Sequence, residues 1–95
     1  MNEIFKALAD PSRRKILELL WRGDMSAGEI ASYFPISKPS LSRHFAVLKG
    51  AGLIQGNKNG ATILYRLNIS ALEYAVQDFM SKLKIEQKEK GIDEH

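Results

Sequence analysis

The chain has 95 residues and a net charge of +3 at pH 7, and 44% of it is hydrophobic, which suits one small globular domain and argues against intrinsic disorder. It contains no cysteine, which excludes disulfide scaffolds, thiolate metal centres and thiol catalysis within these residues. Glycine aside, the longest unbroken apolar run is Phe45 to Leu48, too short to span a bilayer, and the polar start Met1-Asn2-Glu3 lacks the layout of a secretory signal, so a soluble, cytoplasmic protein is expected.

Ile4, Phe5 and Leu8 form a short apolar stripe at helical spacing, ended by Asp10-Pro11. Asp10 is suited to cap a second helix whose first residue is Pro11, where a missing N–H costs nothing, and whose buried side is Ile16, Leu17, Leu19 and Leu20. Gly23-Asp24 stops it. Ser26-Ala-Gly-Glu29 reads as a capping box that opens a helix of one or two turns, buried through Ala27, Ile30, Ala31 and Phe34. Pro35-Ile36 breaks that helix, and Ser37 caps the next, with Leu41, Phe45 and Leu48 on its inner side and Gly50 or Gly52 at its end. Two short helices across a tight turn, the second bearing basic side chains, describe a helix-turn-helix.

Beyond Gly52 the period changes from 3.6 to 2. Leu53 to Gln55 and Thr62 to Leu67 read as two strands joined through Gly56 to Gly60, whose Asn59-Gly60 is a strong hairpin signal. A last helix carries Leu72, Val76, Phe79 and Leu83 along one face. The predicted fold is therefore mostly α with a β-hairpin wing, in the order four helices, two strands, one helix: a winged helix-turn-helix over residues 1–83. Residues 84–95 are expected to be a charged tail fraying from the helix end.

Charge is unevenly placed. From Ile30 to Leu72 there is no Asp or Glu, while Lys38, Arg43, Lys49, Lys58 and Arg66 supply positive charge. An acid-free basic stretch interspersed with Ser and Asn suits phosphate contact. Catalytic and metal chemistry find no such support: His44 and His95 are the only imidazoles, and no HExxH, GxSxG or phosphate-loop motif occurs. No enzyme activity, cofactor or metal site is expected.

Particular residues carry a family likeness. Asp10-Pro11-Ser12-Arg13-Arg14-Lys15-Ile16-Leu17 resembles the opening signature of ArsR-type bacterial repressors. Ile36 to Phe45, with Leu48 and Ala51-Gly52-Leu53-Ile54, resembles the recognition region of that family, and Ile63 to Leu67 its second wing strand. Within the family the chain is most similar to the metal-independent, SdpR-like autorepressors. The resemblance implies a homodimer built from the first and last helices, through Ile4, Phe5, Leu8, Leu72, Val76, Phe79 and Leu83, bound to double-stranded DNA with an inverted-repeat operator. Metal-sensing relatives place cysteines in the third helix, where this chain has Glu29-Ile30-Ala31-Ser32-Tyr33-Phe34, or His pairs on the last helix, which holds none before His95.

On a helical wheel Pro39, Ser40, Arg43 and Val47 face away from the buried stripe of the fourth helix, with Ser42 and His44 on its flanks. Arg43 suits a bidentate contact to guanine, and Ser37, Lys38, Pro39, Ser40 and Ser42 lie where phosphates or base edges would be met. His44 fits either DNA contact or a structural hydrogen bond. Asn57, Lys58 and Asn59 at the wing tip suit the minor groove or backbone. Trp21 and Tyr33 are expected in the core or at helix edges. The expected function is sequence-specific DNA binding as a transcriptional repressor. The alternatives are a winged helix that docks protein, and a repressor that senses an ion or small molecule at its dimer interface.

Overall fold

Three side-chain caps decide where the second, third and fourth helices start. The computed structural model describes the backbone of residues 2–89 and the side-chain surroundings of residues 3–84. After α1 (Asn2–Leu8), Asp10 accepts from the Arg13 amide at 3.0 Å and Pro11 occupies the first turn of α2 (Pro11–Trp21). Ser26 and Glu29 close the capping box of α3 (Ala27–Ala31), with Ser26 N donating to Glu29 Oε1 at 2.8 Å and Glu29 N to Ser26 Oγ at 3.1 Å. Ser37 caps α4 (Lys38–Gly50) by accepting from the Ser40 amide.

The regular part of α3 is five residues long, within the one or two turns expected. Tyr33 and Phe34 continue it through amides bonded to Ile30 and Ala31, the tighter i→i+3 pattern, before Pro35. At the other end of α4, Gly52 N donates to the Lys49 carbonyl and Leu53 N to the Leu48 carbonyl, with Gly52 at φ +78°. This paired closure needs a left-handed residue, which glycine supplies at little cost. It also turns Leu53 straight into the core.

The hairpin is longer than its sequence suggests. β2 (Ile54–Asn59) and β3 (Thr62–Leu67) pair antiparallel from Ile54–Leu67 out to Asn59–Thr62, so Gly56 to Asn59, read as connection, are strand. Only Gly60 and Ala61 turn the chain, with Gly60 at φ +68°. A two-residue strand absent from the sequence reading, β1 (Met25–Ser26), pairs with Tyr65 and Leu64, giving the sheet order β1-β3-β2. Two residues carry too little periodicity to be seen locally. Asn68 then ties the start of α5 (Ile69–Glu89) to the end of α4, its amide bonded to Leu53 O and its side chain to Gly52 O.

The core lies where α2, α3, α4 and the base of the wing meet. Ile16, Ile30, Leu48 and Leu53 are its fully buried large side chains, joined by Leu17, Leu19, Leu20, Leu41, Phe45, Ile54 and Tyr65. Each such side chain contributes about 1.5–3 kcal/mol of transfer free energy. All four residues expected on the inner side of α2 are buried, as are the three of α4. Of the two places expected for Trp21 and Tyr33, both take the helix edge and not the core: Trp21 is exposed as the last residue of α2, and Tyr33 is exposed just beyond α3. α5 continues helical past Leu83 to Glu89, so the first part of the expected tail is helix, while residues 90–95 lie outside the described residues. No described helix is long and apolar enough to cross a membrane.

Candidate nucleic-acid interface

Burying Leu41, Phe45 and Leu48 fixes the rotation of α4 and turns its other side outward. Lys38, Pro39, Ser42, Arg43, Ala46 and Val47 are exposed there. Among the described residues no protein side chain pairs with Lys38, Arg43 or Lys49, so these cations are available to an external anion. Ser40 differs from the wheel reading. It is half-buried, and its amide and hydroxyl are both engaged with Ser37, whose Oγ donates to Ser40 Oγ at 3.1 Å.

The wing is held against α4 from within. The rings of Phe45 and Tyr65 stack with centroids 4.6 Å apart and an interplanar angle of 27°, and burial raises the Tyr65 phenol above its ordinary pKa. Gly56 faces Tyr65 across the ladder, and a Cβ there would come within 3.1 Å of the Tyr65 ring. The pleat separates the three residues read as one tip cluster. Lys58 shares the face of Gly56, Ile63 and Tyr65, toward α4, whereas Asn57 and Asn59 share the opposite face with Leu64 and Thr62. All three are exposed.

Arg66 leaves the expected positive field. Its Nε and Nη2 both donate to Asp24 Oδ2, at 3.2 and 3.1 Å. Asp24 lies outside the acid-free segment in sequence, yet the β1–β3 pairing brings it alongside. Sequence reading missed this acid because the partners are 42 residues apart.

His44 is half-buried on the flank of α4, with Nδ1 3.5 Å from Arg13 Nη1 and 3.8 Å from Asp10 Oδ2. The Arg13 amide, which Asp10 accepts, is the main reason the Asp10 carboxyl sits below its ordinary pKa. Partial burial opposes this, and the charges of His44 and Arg13 assist it. Neither Asp10 nor Arg13 was singled out beyond the cap and the family signature.

The expected dimer face divides into two groups. Ile4, Leu8 and Leu72 are half-buried against the chain's own core. Phe5, Val76, Phe79 and Leu83 are exposed, and Met80, not included before, joins them. Val76, Phe79, Met80 and Leu83 follow the i, i+3, i+4, i+7 spacing of one helix face. Phe5 meets Phe79 edge-to-face at 5.8 Å, so α1 and α5 present a continuous apolar surface. Among the described residues no three His, Cys, Asp or Glu side chains gather as a metal-binding group.

The family model for bacterial regulatory proteins of the arsR family matches residues 10–55, from the Asp10 cap through the helix-turn-helix to the first wing strand. The transcriptional repressor SdpR of Bacillus subtilis is 51% identical over 76 residues, spanning 80% of this chain and 84% of SdpR. The chain belongs to the ArsR family. The arsenical resistance operon repressor of Staphylococcus xylosus is 38% identical, over 82% of this chain and 75% of its own. A crystal structure of an ArsR family transcriptional regulator superposes with a TM-score of 0.84 and 31% identity, covering 92% of this chain and 94% of that one. Membership makes this ArsR chain a DNA-binding transcription regulator with a winged helix-turn-helix, as the caps, the recognition-region motif and the wing strands imply.

Proposed function

We propose that this ArsR-family chain is a homodimeric repressor that occupies an inverted-repeat operator and reads each half with α4. The observation that carries this reading is the outward face of α4, where Lys38 and Arg43 are exposed beside Ser42 and Val47 and form no ion pair among the described residues. Arg43 takes a guanine edge through its bidentate fork, while Lys38 and Ser42 meet phosphate or base edges. Ser37, Pro39 and Ser40 shape the first turn of α4, where the helix dipole and the exposed Lys38 side chain favour a phosphate. Lys58 reaches the backbone or minor groove from the α4 side of the wing, and Asn57 and Asn59 from the other side.

Dimerisation covers Phe5, Val76, Phe79, Met80 and Leu83, because a stripe of five exposed apolar side chains on a domain this small is stabilised by burial against its own copy. A two-fold dimer presents the same helix twice, which calls for two half-sites about one turn, roughly 10–10.5 bp, apart. DNA release does not depend on a thiolate-bound ion, since soft ions need cysteine ligands and this chain has none.

Selection of bound duplexes from a random pool tests the reading directly. The expected product is an imperfect inverted repeat whose affinity falls about 10³–10⁵-fold between 50 and 200 mM salt, for some 6–10 phosphate contacts. Enrichment of a lone half-site with full affinity would overturn the two-fold arrangement, and no enrichment at all would overturn DNA reading by α4.

A further inference from the structure

Arg13 occupies the corner where α1, α2 and α4 meet. Its Nε donates to the Ala7 carbonyl at 2.8 Å and its Nη2 to the Lys6 carbonyl at 3.1 Å, closing the end of α1. The same guanidinium places Nη1 3.5 Å from His44 Nδ1, and Asp10 Oδ2 lies 3.8 Å from that ring nitrogen. One nitrogen of α4 therefore faces both a permanent donor and a carboxylate acceptor. With its proton on Nε2, the neutral ring offers Nδ1 to Arg13. The imidazolium has an N–H on both nitrogens, so Nδ1 then turns to Asp10.

We propose that His44 is a positioning residue of the recognition helix, seated against the end of α1 through Arg13 and Asp10, and that its protonation strengthens DNA binding. The second half rests on the DNA-binding reading above. Among the described residues, Asp10 Oδ2 and Arg13 Nη1 are the charged atoms within 4 Å of Nδ1. From α1 the titratable side chains are Glu3 and Lys6, and from α2 also Arg14, Lys15 and Glu18; all five are exposed, and among the described residues none pairs with His44. Arg14 is engaged with the Leu8 carbonyl and Lys15 with the Tyr33 carbonyl. On α4 itself Lys38, Arg43 and Lys49 face solvent. A phosphate backbone laid along α4 adds negative charge to this setting, so DNA and a proton each favour the binding of the other.

The full chain supplies a clean probe, because His44 and His95 are its only histidines. Imidazole resonances are followed by NMR from pH 5 to 8.5, without DNA, in the wild type, Asp10→Asn and Arg13→Gln. Asp10→Asn keeps a capping oxygen and so preserves the fold. The His44 midpoint is expected to fall in Asp10→Asn and to rise in Arg13→Gln. Affinity for the selected duplex at constant salt is expected to rise as pH falls through that midpoint, by up to about tenfold for each unit by which DNA raises it. In His44→Gln the response over the same window should vanish. An unchanged His44 midpoint in Asp10→Asn overturns the junction, and equal pH responses in wild type and His44→Gln overturn the coupling. Failure to bind any duplex at any pH would instead remove the DNA-binding reading, leaving the NMR result to decide the junction alone.

Discussion

Phe45 of the recognition helix and Tyr65 of the wing stack ring on ring, 4.6 Å between centroids. The two elements that would meet DNA are thus spaced by packed aromatic surface inside the core. Truncating Phe45→Ala is expected to cost about 3–5 kcal/mol, measured by denaturant unfolding. A loss near that of an exposed side chain would contradict the packing.

Tyr65 also predicts a response to alkali. Burial raises its folded pKa above the unfolded value, so between the two the folded state holds more protons. Stability from this group is complete below about pH 10 and declines as pH rises beyond it. Tyr65→Phe should lose less stability than the wild type over that alkaline range in urea titrations. Tyr33 and Tyr74 are exposed in both proteins and cancel in the comparison.

Ser26→Ala removes one half of the capping box of α3 and should destabilise the domain by about 0.5–2 kcal/mol in thermal or urea melts. Ser26→Gly should cost less, because glycine tolerates the extended cap conformation. If both substitutions were neutral, this short helix would be held by the burial of Ile30 alone.

Arg43→Ala and Lys58→Ala should separate reading from anchoring. The first is expected to cost about 1–3 kcal/mol in binding and to relax preference at one base position in each half-site. The second should leave sequence preference intact while lowering the salt slope by about one for each wing. A uniform loss across all duplexes would make Arg43 a phosphate contact.

Asp24→Asn should act in the opposite direction. The pair with Arg66 is largely exposed, so its removal should shift stability by less than about 1 kcal/mol. Arg66 is then released on the wing, and duplex affinity and salt slope should both increase. Unchanged binding would mean that Arg66 lies beyond reach of the backbone.

Val76→Asp with Met80→Asp places two charges on the exposed stripe of α5, and sedimentation at micromolar concentration should show a dimer for the wild type and a monomer for the double variant. Chelator should leave the wild type dimeric. A dimer that persists in the double variant would locate the interface elsewhere.

Much of this architecture can be read from short stretches of chain. Asp10-Pro11, Ser26 with Glu29, and Ser37 announce helix starts because a cap and its amide lie within three residues of each other. The inner sides of α2 and α4 follow from 3.6-residue spacing, and the hairpin from Asn59-Gly60. The relationships that shape the candidate interface join residues far apart along the chain. Arg13 and His44 are separated by 31 residues, Arg66 and Asp24 by 42, and neither pairing has any local signal. Strand register was equally out of reach, since extending β2 to Asn59 decides which face carries Lys58, and that depends on which residue pairs with which across the ladder. Local hydrogen bonds and periodicity select the elements. Only chain closure brings Asp24 beside Arg66 and Arg13 beside His44, because those contacts exist once the core is packed and not before.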